Sequence, residues 1–178
     1  MKRAQSVAVA VLVSGNGSNL QSLIDATQNN AVHFSIKLVI SNVVDVFALT
    51  RARQAGIATE VIPHNNYSTR EEFDADVARC LRKRDIKFVI LAGFMRRLTS
   101  AFVQEFSGRL INIHPSLLPR HPGLNTHRRA LSAGDRQHGC TVHFVSAQVD
   151  AGPIIAQSAL LVDLNESEQA LKQRVLSL

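Results

Sequence analysis

Residues 7–13 of the chain, VAVAVLV, are apolar without a break, and they run directly into SGNGSN at 14–19 and then into LQSLIDA. A strand that is polar on neither face must be covered on both, and such strands belong to parallel sheets flanked by helices. Apolar runs rich in β-branched residues return at 36–40, 59–62, 88–91, 110–113 and 141–145. The segments between several of them read as helices. In NLQSLIDATQ, Leu20, Leu23 and Ile24 share one helical face. DVFALTRARQAG offers Asp45 as an N-cap and ends at Gly56. STREEFDADVARCLRKRD offers Ser68 as cap with Glu71 three residues on, a capping box, and its Phe73, Val77 and Leu81 recur every four residues. Strand and helix in alternation over the first 110 or so residues predict an α/β fold, a Rossmann-like and mostly parallel sheet with helices on both faces.

The later part of the chain reads differently. HGCTVHFV and GPIIAQSALLV are strand-like, with the turn residues DAG between them and no room for a crossover helix, which predicts an antiparallel pair. SEQALKQRVLSL is a helical pattern with no stop signal after it. The expectation is one domain over residues 1–178, belonging to a natural protein that continues past this C-terminus.

Charge and cysteine usage narrow the function. The formal net charge is +6, but the basic residues are dispersed in short clusters, with no basic tail and no stripe of interleaved aromatics. A small anionic substrate fits this better than nucleic acid, which is not expected as a partner. No run approaches the roughly 18 apolar residues of a membrane helix. The opening MKRAQS precedes too short an apolar run, with no cleavage site, to be a signal peptide. Cys80 and Cys140 lie outside any C-x-x-C pair and read as buried thiols in a reducing compartment, so a cytoplasmic protein is expected. The seven histidines are scattered and H-E-x-x-H is absent, so no metal is expected.

Two stretches carry chemistry. A glycine-rich loop between a strand and a helix turns backbone N–H groups and the positive end of the helix toward a ligand, and Gly15 and Gly17 permit positive φ and close approach. With Ser18 and Asn19 it reads as a phosphate cradle; the alternative is a tight turn with no ligand. It lacks the third glycine of a dinucleotide fingerprint and the lysine of a Walker loop. The second stretch is LINIHPSLLPRHPG at 110–123. Asn112 and His114 fall on one face of the strand, and an amide within RLINI is costly unless it is bonded. The alternative is a core Asn and a structural His. Asp150 in VDAGPI lies at a small turn, and a carboxylate there that reached His114 would favour the imidazolium. Asn, charged His and Asp together suit an oxyanion and a proton relay. No G-x-S-x-G nucleophile motif occurs, so the attacking group is expected to come from the substrate, as in direct formyl or acyl transfer.

Taken in order, SGNGSNLQSLID, ARQAGI, LAGFMRRL, INIHPSLLPRHPGLNTH and HGCTVHFV with DAGPII resemble the folate-dependent formyltransferase family, and within it the phosphoribosylglycinamide formyltransferases. The resemblance runs from Val7 to about Val175. It implies transfer of formyl from 10-formyltetrahydrofolate, as cosubstrate, to glycinamide ribonucleotide in purine synthesis, in a monomer or homodimer. It implies that Gly17, Ser18 and Asn19 hold the ribonucleotide phosphate. Folate contacts fall on Arg70, on Met95, Arg96, Arg97 and Leu98, and on Asn112. His114 becomes the proton donor and Asp150 the residue that keeps it charged, with His143 in support. Asn125 stands where some relatives carry His and is left out of the site. The family continues past QRVLSL with further helix and an acidic residue that helps bind the acceptor. Two rival functions share parts of the pattern: a formyltetrahydrofolate deformylase, and a nucleotide sensor without catalysis.

Overall fold

The computed structural model describes residues 6–178; residues 1–5 of the MKRAQS opening lie outside the described residues. The chain forms two compact units, Met1–Leu110 and Ile111–Leu178.

In the first unit β1 (Val7–Val13) pairs in parallel with β2 (Phe34–Ser41) and with β4 (Phe88–Leu91), and β2 pairs in parallel with β3 (Thr59–Val61). The order is β3-β2-β1-β4, so β1 is flanked on both sides. Val9, Val11 and Val13 pack with Leu20 and Ile24 of α1 (Ser18–Gln28) and with Ala48 and Ala52 of α2 (Phe47–Gln54). Ala10 and Leu12 point to the opposite face and are also fully buried, so that face is covered as well. This is why the run is apolar throughout. The chain leaves β1 toward β2 on one side and returns to β4 on the other, which makes the C-terminal ends of β1 and β4 a topological switch point.

Helix boundaries depart from the expectation by a residue or two. The N-cap of α3 (Arg70–Lys83) is Thr69 rather than Ser68, and the capping box is closed by Glu72 rather than Glu71. Ser68 still contributes, since its backbone N–H donates to Glu72 at 3.0 Å. Asp45 does not cap α2; it takes φ 53°, and the N-cap is Val46 with no side-chain bond. The first unit closes with α4 (Ser100–Glu105), capped by Thr99.

The second unit holds β5 (Leu110–His114), α5 (Thr126–Ser132), β6 (Gln137–Phe144), β7 (Ile154–Leu161) and α6 (Glu168–Leu176). The β6–β7 pair is antiparallel as expected, and β5–β6 is antiparallel too. Strand β6 begins one residue before the expected HGCTVHFV run, and Gly139 fits against β7: a Cβ there would lie 2.0 Å from the Ser158 carbonyl oxygen. Both cysteines are half-buried and unpaired. Among the described residues no helix is long and apolar enough to cross a membrane.

Two histidines of this unit are held against protonation. His138, 1% exposed, faces His127 with Nε2 to Nδ1 at 3.1 Å. Burial, then the neighbouring His127 and His121, push His138 down to about 4, against the weaker pull of Asp135. Burial, then the Lys172 charge, lower His127 as well. A histidine depressed in the fold contributes stability above its unfolded pKa of about 6.5 and loses it as pH falls toward the folded value. The urea midpoint should therefore fall between pH 6.5 and 4, and His138→Gln should flatten that slope. An equally steep loss in His138→Gln would place the acid sensitivity elsewhere.

Candidate active site

Alternation along β5 puts Asn112 and His114 on one face, and the antiparallel register sets His143 opposite Asn112 and Thr141 opposite His114. His143 Nδ1 lies 2.9 Å from the Phe144 carbonyl oxygen. A carbonyl only accepts, so Nδ1 carries the hydrogen and Nε2 is the acceptor. Asn112 Nδ2 donates to that Nε2 at 3.1 Å. The amide is thereby oriented, one of its two hydrogens is used, and the second remains for a ligand.

His114 is 6% exposed. Its Nε2 lies 3.0 Å from the His121 carbonyl oxygen, and its Nδ1 lies 3.4 Å from Asp150 Oδ2. Both neighbours are acceptors: the His121 carbonyl is within hydrogen-bond distance of Nε2, and the Asp150 carboxylate stands at ion-pair distance from Nδ1. Asp150 takes φ 51° in the turn before β7 and accepts from the Gly123 N–H at 2.8 Å. Its Oδ1 stands 3.7 Å from His143 Nε2, beyond hydrogen-bond reach. The turn is seated by Gly152: a Cβ there would lie 1.8 Å from the Phe144 carbonyl oxygen.

The loop from Pro115 to Asn125 is tied down. Thr141 Oγ1 donates to the Ser116 carbonyl at 2.6 Å and accepts from the Leu118 N–H at 3.0 Å and from Gln157 Nε2 at 2.9 Å. Arg120 and His121 both reach Asp135, His121 through Nε2 at 2.7 Å. These contacts fix two backbone groups, the His121 carbonyl and the Gly123 N–H, that touch His114 and Asp150. Neither is legible in the sequence, because a backbone group leaves no residue-type signal.

Apart from Asn112, the expected substrate residues lie in the first unit: the glycine loop and the segment from Met95 to Leu98 follow β1 and β4, and Arg70 begins α3. Gly17 takes φ 78° and precedes α1, which has no side-chain cap. The first N–H groups of α1, those of Ser18 and Asn19 among them, therefore have no capping side chain and are open to an anion. The loop carbonyls turn the other way: Gly15 O accepts from the Ala48 N–H at 3.1 Å and Asn16 O from Arg51 Nε at 3.0 Å. The glycine expectation needs correction here. A Cβ on Gly17 would lie 2.6 Å from Ala48 Cβ, so Gly17 is demanded by α2 and not by ligand approach alone; Gly15 has neither a positive φ nor a close neighbour.

Met95, Arg96, Arg97 and Leu98 form irregular backbone after β4, with Met95 72% exposed. The Arg96 guanidinium sits 4.7 Å above the Phe73 ring. Arg70 is exposed in the first turn of α3 and makes no ion pair among the described residues. A cation at a helix N-terminus opposes the helix dipole, so its position is not explained by helix stability. Among the described residues no group of three or more His, Cys, Asp or Glu is placed to hold a metal.

Gly17→Ala should destabilise the ligand-free protein by about 1–3 kcal/mol through overpacking and backbone strain. Urea unfolding without ligand measures this, and an unchanged midpoint would return Gly17 to a purely ligand-facing role.

Comparison with known proteins gives the family. Residues 7–178 match the formyl transferase family. The chain is 48% identical over 167 residues to phosphoribosylglycinamide formyltransferase of Escherichia coli K12, covering 94% of this chain and 79% of that protein. It is 51% identical over 169 residues to the trifunctional purine biosynthetic protein adenosine-3 of Drosophila melanogaster, covering 94% of this chain but 12% of that longer protein. Among solved structures, phosphoribosylglycinamide formyltransferase of Coxiella burnetii in complex with CHES has a TM-score of 0.91 at 47% identity, covering 96% of this chain and 80% of that one. Glycinamide ribonucleotide transformylase 1 of Symbiobacterium toebii has a TM-score of 0.95 at 39% identity, covering 98% and 82%. With the Asn112, His114 and Asp150 geometry in place and a match spanning nearly the whole sequence, the chain belongs to the formyl transferase family.

Proposed function

We propose that the chain transfers the formyl group of 10-formyltetrahydrofolate to the amine of glycinamide ribonucleotide, giving formylglycinamide ribonucleotide and tetrahydrofolate, as one formyltransferase domain acting in the cytoplasm. The observation that carries this reading is His114 held between two acceptors, one of them the Asp150 carboxylate at 3.4 Å, on the same strand face as an Asn112 amide with one hydrogen uncommitted.

The amine nitrogen attacks the formyl carbon, a C–N bond forms, and the carbonyl electron pair moves onto oxygen. Asn112 donates its remaining N–H to that oxyanion, and the His114 imidazolium places positive charge beside it. Collapse of the intermediate breaks the bond from the formyl carbon to N10 of the folate. The imidazolium donates to N10 and regains the proton the amine loses, so no net proton is consumed, and Asp150 keeps His114 charged and assists the transfer. No protein nucleophile takes part. Ser18 and Asn19 hold the ribonucleotide phosphate at the start of α1. Met95, Arg96, Arg97 and Leu98 hold the folate, and Arg70 meets its anionic glutamate tail. The homologous formyltransferases of Escherichia coli and Coxiella burnetii support the choice of acceptor.

The test follows loss of formyl donor with and without glycinamide ribonucleotide. Turnover should require the ribonucleotide, and donor loss without it would mean hydrolysis instead. Asp150→Asn keeps the size and removes the charge. It should lower kcat by about 10²-fold or more, the usual scale for one preorganised electrostatic partner. Near-normal turnover in that variant would reduce Asp150 to a turn residue.

A further inference from the structure

The first residue of the glycine loop is not free. Ser14 Oγ donates its one hydrogen to Asn42 Oδ1 at 2.6 Å, and it accepts from the Met95 N–H at 2.8 Å. Ser14 follows β1, Asn42 follows β2, and Met95 lies after β4, so one hydroxyl laces the C-terminal ends of three neighbouring strands at the switch point. Asn42 is a rigid anchor: it is 2% exposed, and its carbonyl accepts from His64 Nδ1 at 2.8 Å. Because the hydrogen of Ser14 is committed to Asn42, the hydroxyl can only accept from Met95, and the polarity of the chain is fixed.

The segment from Met95 to Leu98 has little regular structure of its own, and side chains hold it at both ends. Ser14 holds the Met95 N–H. At the other end the buried Asp74 accepts from the Thr99 N–H at 2.6 Å, and Phe73 lies beneath Arg96. Asp74 belongs to α3 and has no link to the glycine loop. Ser14 belongs to the loop itself, three residues before Gly17. Any shift of the loop on binding an anion therefore moves the acceptor of the Met95 N–H.

We propose that Ser14 is a positioning residue that couples the ribonucleotide loop to the folate segment through its joint hydrogen bonds to Asn42 and Met95. This rests on the assignment of the two substrates made above. Phosphate bound at Ser18 and Asn19 fixes the loop, the loop fixes Ser14, and Ser14 fixes the start of the segment that holds the folate. The ribonucleotide then tightens folate binding, and by linkage the folate tightens ribonucleotide binding by the same factor.

Calorimetric titration tests this with the unreactive pair tetrahydrofolate and glycinamide ribonucleotide. The Kd of tetrahydrofolate is measured alone and with the ribonucleotide saturating. In the unaltered protein the ratio should be about fivefold or more, within the usual range of coupling between sites. Ser14→Ala should bring it close to one, and Ser14→Thr, which keeps the hydroxyl, should restore it. The donor KM should rise in Ser14→Ala with kcat little changed. Ser14→Cys keeps the volume with a weaker acceptor, and it serves if the alanine variant does not fold. A ratio near one in the unaltered protein, or a ratio undiminished in both Ser14→Ala and Ser14→Cys, overturns the coupling. Failure of the unaltered protein to bind either ligand overturns the substrate assignment, and the coupling with it.

Discussion

The Asp150 carboxylate is the constraint around which the second unit is built. Its side chain is 11% exposed, and a charge so far from water costs several kcal/mol unless it is paired and hydrogen-bonded. The Gly123 N–H supplies a hydrogen bond, and the His114 ring stands at ion-pair distance. Each compensation makes its own demand on the chain. The Gly123 N–H is presented by a loop that Ser116, Thr141 and Gln157 hold in place. The turn that carries Asp150 sits against the end of β6 only because Gly152 has no side chain. His114 comes within reach because β5 alternates and pairs in register with β6.

The second unit uses the same side chain in three hydrogen-bonding settings, each made by its neighbours. His114 has the His121 carbonyl at Nε2 and the Asp150 carboxylate near Nδ1. His143 has a carbonyl at Nδ1 and an amide donor at Nε2, which calls for the Nδ1–H tautomer. His138 is surrounded by histidines and apolar packing and is held uncharged down to about 4. The proposed transfer uses the first, and the orientation of Asn112 rests on the second. The third contributes to acid sensitivity and has no part in transfer.

Much of this was legible in the residues. The strands of the first unit announce themselves because burial on both faces leaves no polar positions, and β1 and β4 fall at their expected bounds. Asn112 stood out because an amide in an apolar strand is costly unless bonded, and the structure does bring it, His114 and Asp150 around one strand end. What escaped is local or backbone-borne. Ser68 and Thr69 are both good caps, and only φ and ψ decide between them. Gly17 looked like a ligand-facing glycine because nothing in SGNGSN shows that α2 packs against it. The His121 carbonyl and the Gly123 N–H come from loop residues whose side chains point to other tasks. The tie from Ser14 to Met95 spans 81 positions and appears only once β1 and β4 are neighbours.

In the proposed mechanism His114 and Asp150 act as one device, the carboxylate serving the reaction through the imidazolium. A double-mutant cycle on kcat for ribonucleotide-dependent transfer, built from His114→Ala, Asp150→Asn and the double variant, measures this directly. Residues that act as a unit are strongly non-additive, so the double variant should lose little more than His114→Ala alone. Losses that multiply would mean that the two side chains act independently, and the pairing at 3.4 Å would then carry no catalytic weight.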